Sequence, residues 1–390
     1  MRRQAIIVGA LGTVQLLSWG STYYLPAILA DPIGRDLGVT DTMVFVAFSA
    51  ALLTMAILGP MVGRQIDRHG GRSALASSNL VLSFGLALLG FAQDAATLFA
   101  AWIVIGSGMA LGLYEAVFST LASAYGKQAR GAIIGITLVG GLASTAFWPA
   151  SAWIETQFGW RTVCFAWAAA HLAIGLPLNF LFAPAPAGSL EPSLPKTATG
   201  PSLAPPSSEP KYAVPLLAFI FAATWFTSTA LAAHLPRLLQ EVGATPAAAV
   251  AAAALIGPAQ VMGRLAEFGF LRKLHPLSSA RLAALAHPVG AALLWIGGAP
   301  LAIIFSLFHG AGNGILTIAN DVLPLSIFGP ENYGRRQGLL MMPARFAQAA
   351  APFLFALVIG WLGAGALLVT AGLGVAALAA LLLLSSPKKA

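Results

Sequence analysis

The sequence predicts an all-α membrane protein, with twelve transmembrane helices in two pseudo-symmetric six-helix bundles. Three observations carry that expectation: the composition, the length and recurrence of the apolar runs, and a repeat between the two halves. Of 390 residues, 58% are hydrophobic and 9% charged, far below the roughly one quarter of charged residues in a soluble globular domain. Such a chain belongs in a lipid bilayer.

Apolar runs of about 20 residues, the length that crosses a hydrocarbon core roughly 30 Å thick, recur throughout. They fall at 4–30, 42–62, 73–92, 97–122, 132–154 and 162–183, then at 212–235, 246–262, 277–297, 299–328, 338–361 and 364–386. Helices are expected because unpaired backbone groups are costly in hydrocarbon and the runs lack the alternation of barrel strands. The eighth run, nearly all alanine, carries the least pattern. The first run exceeds the roughly 7–15 apolar residues of a signal core, so it reads as a retained helix.

Positive charge sets the expected orientation, since Lys and Arg collect on the cytoplasmic side of short loops. With both termini cytoplasmic, seventeen of the 21 Lys and Arg fall inside, Arg35, Arg161 and Arg237 fall outside, and Arg345 lies within a span. The expected location is the inner (plasma) membrane. The formal charge of +8 follows from topology and asks for no nucleic-acid partner. Cys164 is the one cysteine, which allows no internal disulfide and no cysteine-rich metal site.

Residues 184–211 hold eight prolines among Ser, Ala and Thr, a composition that buries too little apolar surface to fold. They are expected to be a flexible cytoplasmic linker between an N-terminal bundle (1–183) and a C-terminal bundle (212–390). Across it the sequence repeats. Gly63-Arg64-Gln65-Ile66-Asp67 follows the second span and Gly263-Arg264-Leu265-Ala266-Glu267 the eighth. Gly59-Pro60 matches Gly257-Pro258, and an offset of 206 carries Glu115 onto Asp321. Parallel six-helix repeats are a known transporter plan.

The segment running from Gly63 through Arg64, Asp67, Arg68 and Gly71 to Arg72 resembles the signature loop between helices two and three of the major facilitator superfamily. The resemblance implies a secondary transporter that moves a small molecule by alternating access, with helices one, four, seven and ten lining a central cavity. Within the superfamily, Ser18-Trp19-Gly20 and Leu113-Tyr114-Glu115 are similar to the bacterial monocarboxylate-transporter-like branch, which implies proton-coupled movement of a small organic anion. The alternative is proton-driven efflux of an amphipathic or toxic compound. The fifth span, with Gly135, Gly140, Gly141 and Pro149, departs from the glycine-proline signature of many drug and proton antiporters.

Ionisable groups inside spans are costly and are functional candidates for that reason. Glu115, Asp321 and Arg345 share a depth on the order of 10 Å from the cytoplasmic ends of their spans. Either carboxylate is a candidate proton carrier, and Arg345 a candidate bidentate anion ligand. The structural alternatives are an Asp321–Arg345 pair and a Glu115 that reaches back to Arg64 or Arg68. Gln15, Trp19, Tyr23, Trp225, Asn313 and Gln348 offer the mixed polar and aromatic lining of a small-molecule pocket. Asp67 is expected to dock on the start of the eleventh helix near Gly338, and Glu267 on the start of the fifth near Gly131, as charge-dipole latches; Gly63, Arg64, Arg68, Gly71, Arg72 and Arg264 belong to the same gating segments, with the arginines also contacting anionic lipid.

The six histidines show no metal-ligand spacing, and no metal or cofactor is expected. No H-E-x-x-H, G-x-S-x-G or phosphate loop points to an enzyme. A fold that encloses its own path is expected to work as a monomer.

Overall fold

The computed structural model describes residues 2–126, 129–184, 212–271, 274–328 and 333–384, without the side chains at 2–4, 130, 321, 325, 333–335, 337 and 338. Among the described residues every regular element is helical. Twelve spans result: α1 (Ala5–Leu37), α2 (Asp41–His69), α3 (Arg72–Gly90), α4 (Ala95–Tyr125), α5 (Gly131–Phe158), α6 (Trp160–Phe182), α7 (Ala213–Glu241), α8 (Pro246–Gly269), α9 (Pro276–Gly297), α10 (Ala302–Phe328), α11 (Tyr333–Leu362) and α12 (Ala366–Leu383).

The last two form one apolar stretch, Leu339–Leu383, of 45 residues. Straight, it would run about 68 Å at 1.5 Å per residue, twice a hydrocarbon core, so it has to reverse. The reversal is the tight turn Gly363–Gly365, where Gly363 takes φ +52°, a left-handed conformation that suits glycine. The first span is longer than its apolar run because its helix continues through Asp31, Arg35 and Asp36, charges that hydropathy counts as a boundary. Side-chain caps start other spans: Thr40 accepts from Met43 N (3.2 Å) ahead of α2, and Asp94 and Thr97 form a capping box at α4. The hydrogen bonds from Thr97 hold the exposed Asp94 carboxyl below its ordinary carboxylate range.

Successive spans reverse direction, so odd-numbered helices run from the end where the chain begins, the near end, to the far end. Each half has its own core. Leu75, Ile66, Val117 and Leu121 cluster in the first half, and Leu217, Phe221, Leu277 and Leu381 in the second. The repeat has a structural signature that the sequence did not disclose: an arginine within the first two turns of the third helix of each half binds the carbonyl end of the sixth. Arg72 Nε donates to Ala183 O (2.8 Å), while Arg281 donates to Leu381 O (3.1 Å) and Leu384 O (2.7 Å). These guanidiniums satisfy helix-end carbonyls that have no partner within the helix.

The halves meet most closely toward the far end. There Ala232, Ala233, Ala349 and Ala356 of the second half join the core of the first. Along α2 the buried residues run from Val44 to Met55, residues 57–65 are half-buried or exposed, and Ile66 is buried again within the first half's own core. The linker expected over 184–211 lies, but for Pro184, outside the described residues.

Candidate functional site

Among the described residues four spans break where the halves face each other: α1, α4, α5 at 141–142 and α8 at Leu255, the last two joined by Thr145 Oγ1 donating to Ala254 O (2.7 Å). In α4 the helix stops at Gly112, Leu113 is extended (φ −77°, ψ −174°), and a new helix begins at Tyr114. Gln15 Nε2 donates to the carbonyl of Gly112 (2.6 Å), and its own oxygen accepts from Trp19 Nε1 (3.2 Å). Gln15 is therefore fully buried and committed to the break. In α1 the helix Arg2–Ser21 gives way to a turn at 22–25 before Pro26–Leu37. Trp148 Nε1 donates to Tyr24 O (2.9 Å) there. The turn presents Tyr23, whose hydroxyl bonds Thr229 Oγ1 across the seam at 2.6 Å.

Glu115 lies in the first turn of the restarted helix, where unpaired N–H groups favour a carboxylate. Its Oε1 accepts from Arg345 of the opposite half. Arg345 Nη1 also donates to Gln348 Oε1 (3.3 Å), and its guanidinium stands 5.9 Å from the Trp225 ring centre. Gln348 Nε2 reaches Tyr23 Oη at 3.5 Å. With the Asn320 amide turned so that its oxygen faces the indole, Trp225 Nε1 donates to it (3.2 Å). The side chains of Glu115 and Arg345 are 55% and 32% exposed, so the pair borders open space. Glu115 thus pairs with Arg345, not with Arg64 or Arg68 as the sequence alternative had it. The Asp321 side chain, the other partner considered for Arg345, lies outside the described residues.

A second guanidinium stands nearby. Arg264 is 8% exposed and donates to Thr137 O of α5 (2.6 Å), and the Tyr114 hydroxyl faces it. Among the described residues no carboxylate pairs with it. Tyr114 and Glu115 are consecutive, so the restarted helix begins between two arginines of the opposite half. Trp19 packs on both Tyr23 and Tyr114 (ring centres 4.9 Å). Sequence reasoning placed Arg264 among gating residues; its burial at the seam came from the fold.

At the far end a different set joins the halves. Arg237 pairs with Asp41 (3.0 Å) and lies 4.0 Å from Glu241, Phe353 N donates to Ser49 Oγ (3.3 Å), and Phe45 packs on His234 (3.9 Å between ring centres). A cavity of about 1080 Å³ opens there, with Asp31, Arg35, Asp41, Glu155, Arg237 and Glu241 in its wall. None of the contacts between the halves was read from the sequence, since each joins residues more than 100 positions apart.

The expected latches are placed otherwise. Glu267 accepts from Ser279 of its own half, not from the start of α5; Arg264 makes the link to α5 instead. Asp67, Arg64 and Arg68 are exposed or half-buried, as is Gly63. The side chains around Gly338, the expected dock of Asp67, lie outside the described residues. Gly71 abuts Thr120 of α4, and Arg72 caps α6. Asn313 faces a small cavity within the second half, away from the seam. No cluster of three or more metal-ligating side chains occurs among the described residues.

Two six-helix halves around a polar, broken-helix seam define a polytopic membrane transporter. The sequence profile of the Major Facilitator Superfamily matches residues 11–294, and the chain belongs to that family. It is a transporter, not an enzyme. An MFS-type efflux pump of Mycolicibacterium smegmatis is 32% identical over 164 residues, 41% of this chain and 38% of that protein's length. The crystal structure of a mutant of the nucleoside transporter NupG superposes with a TM-score of 0.72, covering 97% of this chain and 99% of that one at 15% identity. The match to NupG concerns the fold. The chain spans well under half the length of the curated efflux pump it matches.

Proposed function

We propose that the chain carries a small organic anion across the inner membrane by alternating access, with Glu115 as the proton-coupling group. The observation behind this reading is the charge count at the restarted α4 helix: two guanidiniums, Arg345 and Arg264, face it, and among the described residues one carboxylate stands between them. A helix start is itself an anion-favouring end, and broken transmembrane helices supply such ends at transport sites. With Glu115 ionised these three groups carry one net positive charge, which an anionic substrate neutralises. Its carboxylate or other oxyanion takes Arg345 bidentately, the displaced Glu115 picks up a proton, and Arg264 and Tyr114 complete the binding. Trp19, Tyr23 and Trp225 wall the site, and Gln348 orients Arg345.

In this reading the near end is cytoplasmic, both termini lie inside, the bundles 1–183 and 212–390 rock about the seam, and residues 184–211 link them. The contacts of Asp41 with Arg237 at the far end and of Tyr23 with Thr229 nearer mid-depth close the outer route, and they must break for outward opening. The cytoplasmic segments from Gly63 to Arg72 and around Glu267 act as the inner gate. The chain works as a monomer.

A thermal-stability screen of the purified protein tests this, since a ligand that binds the folded state raises its stability by mass action. Lactate, benzoate and succinate are expected to stabilise the wild type and to leave Arg345→Ala unmoved. Stabilisation by hydrophobic cations alone would reject the anion. It would favour a second reading, export of a toxic compound, which the matched segment of the mycobacterial efflux pump supports.

A further inference from the structure

Each half contains a buried polar node between its first, third and sixth helices, and the two nodes differ. In the first half, Ser21 of α1, Asn79 of α3 and His171 of α6 are all fully buried and form one chain of hydrogen bonds. Ser21 Oγ meets His171 Nε2 at 2.9 Å, and His171 Nδ1 meets Asn79 Oδ1 at 2.9 Å. Asn79 Nδ2 donates to Leu75 O (2.9 Å), so its oxygen is the end that faces the imidazole. Nδ1 then carries the proton, Nε2 is the acceptor, and Ser21 donates to it.

The site that His171 reaches is not on a regular helix. Residues His171–Gly175 form a π-turn inside α6, the local widening that recurs at functional positions in helices. Ser21 is the last residue of the first helical segment of α1, directly before the turn at 22–25. His171 thus grips the chain where it leaves helical geometry, and Tyr23 follows two residues later.

The second half has a counterpart that matches only in part. At an offset of 206 Thr227 stands at the position of Ser21 and Thr229 at that of Tyr23, but the polar partners differ: His287 of α9 meets His309 of α10 (Nδ1 to Nδ1 3.1 Å), and α12 contributes Gly374 where α6 has the histidine. Here a cavity of about 40 Å³ remains, above the roughly 10–15 Å³ that one water requires. One of the hydrogen bonds that cross the seam, Tyr23 to Thr229, therefore joins residues two positions beyond Ser21 and Thr227. The first-half node is filled and hydrogen-bonded throughout; the second retains space.

We propose that His171 is a positioning residue: through Ser21 it fixes the 22–25 turn and so sets the Tyr23 hydroxyl where it meets Thr229 and closes the far side of the seam. The role requires no contact with substrate and holds whatever the substrate is. Burial of the imidazole in a fully bonded chain, the π-turn that brings it there, and the irregular backbone it grips all point to placement.

The test is a distance measurement without substrate. Spin labels at Asp31→Cys and Ala247→Cys, on opposite walls of the far-side cavity, are introduced in a Cys164→Ala background. His171→Leu is expected to raise the far-open population about fivefold, the equilibrium worth of one hydrogen bond near 1 kcal/mol. Thr229→Val should give the same shift, and the double variant no more than either alone, because both act on the one Tyr23–Thr229 hydrogen bond. His171→Gln, which can still accept from Ser21 and donate to Asn79, should return toward the wild-type distribution. Ser21→Ala carries the same expectation if His171→Leu does not fold. A wild-type distribution in a less stable His171→Leu protein, or additive shifts in the double variant, would overturn the proposal.

Discussion

Glu115→Gln keeps the size of the side chain and removes its charge, which frees Arg345 from its carboxylate partner. Glu115 is about half exposed and Arg345 about a third, so the pair is valued as a screened contact, about 1 kcal/mol at most. The helix start adds about 0.3–1 kcal/mol for the carboxylate. An incoming anion must displace both contributions. Without them the variant should bind a carboxylate up to about 30-fold more tightly, since about 1.4 kcal/mol is a tenfold change. Calorimetric titration of the purified protein with lactate or benzoate reads this directly. In the wild type, anion binding should be accompanied by proton uptake and so strengthen as pH falls, because protonation releases the same guanidinium. In the variant that dependence should flatten. A variant that binds no more tightly, or that keeps the wild-type pH dependence, would refute the competition between Glu115 and substrate for Arg345.

Arg264→Lys should weaken anion binding nearly as much as Arg264→Ala, by about tenfold or more, because an ammonium cannot hold Thr137 O and a ligand in the fork geometry of guanidinium; the same titration measures it. Asp41→Asn should raise the far-open population by up to about fivefold, since the Asp41–Arg237 pair is about a third exposed on both sides and worth about 0.2–1 kcal/mol; spin-label distances across the far-side cavity report it. Gly106→Ala should cost about 1–3 kcal/mol by overpacking, because an added Cβ would come within 2.8 Å of Ala51 Cα, and a thermal melt in detergent would show the loss.

The fold was legible because its cause is coarse. A bilayer demands long apolar helices, and twelve such runs remained visible even where alanine dominates the eighth span. Only the span ends shifted, as at Asp31, Arg35 and Asp36, where a helix outlasts the hydrophobic core. Glu115 and Arg345 were legible for the opposite reason, as charges where charge is costly. Their partnership was not, because it joins residues 230 positions apart in different halves. Arg264 illustrates the limit: the repeat places it beside Arg64, yet Arg264 is buried at the seam and Arg64 is not. A short motif fixes position along the chain, and helix rotation and packing decide what the side chain meets. The break at Leu113 carries no proline, and the one at 22–25 is followed by Pro26 as first residue of the restarted helix, a signal the apolar run around it masks. Both breaks became visible through the side chains, Gln15 and Trp148, that satisfy the carbonyls beside them. His171 carried no ligand spacing, and its role depends on a π-turn that periodicity does not encode.

The most direct measurement is proton flux in proteoliposomes holding a pH-sensitive dye, with candidate solutes added outside at equal pH. A proton-coupled anion carrier should alter the internal pH when a transported small carboxylate is added, and Arg345→Ala vesicles should show no change. Neutral nucleosides and hydrophobic cations should leave it unmoved. Proton movement elicited by hydrophobic cations and by no carboxylate would contradict anion transport at the Glu115–Arg345 seam.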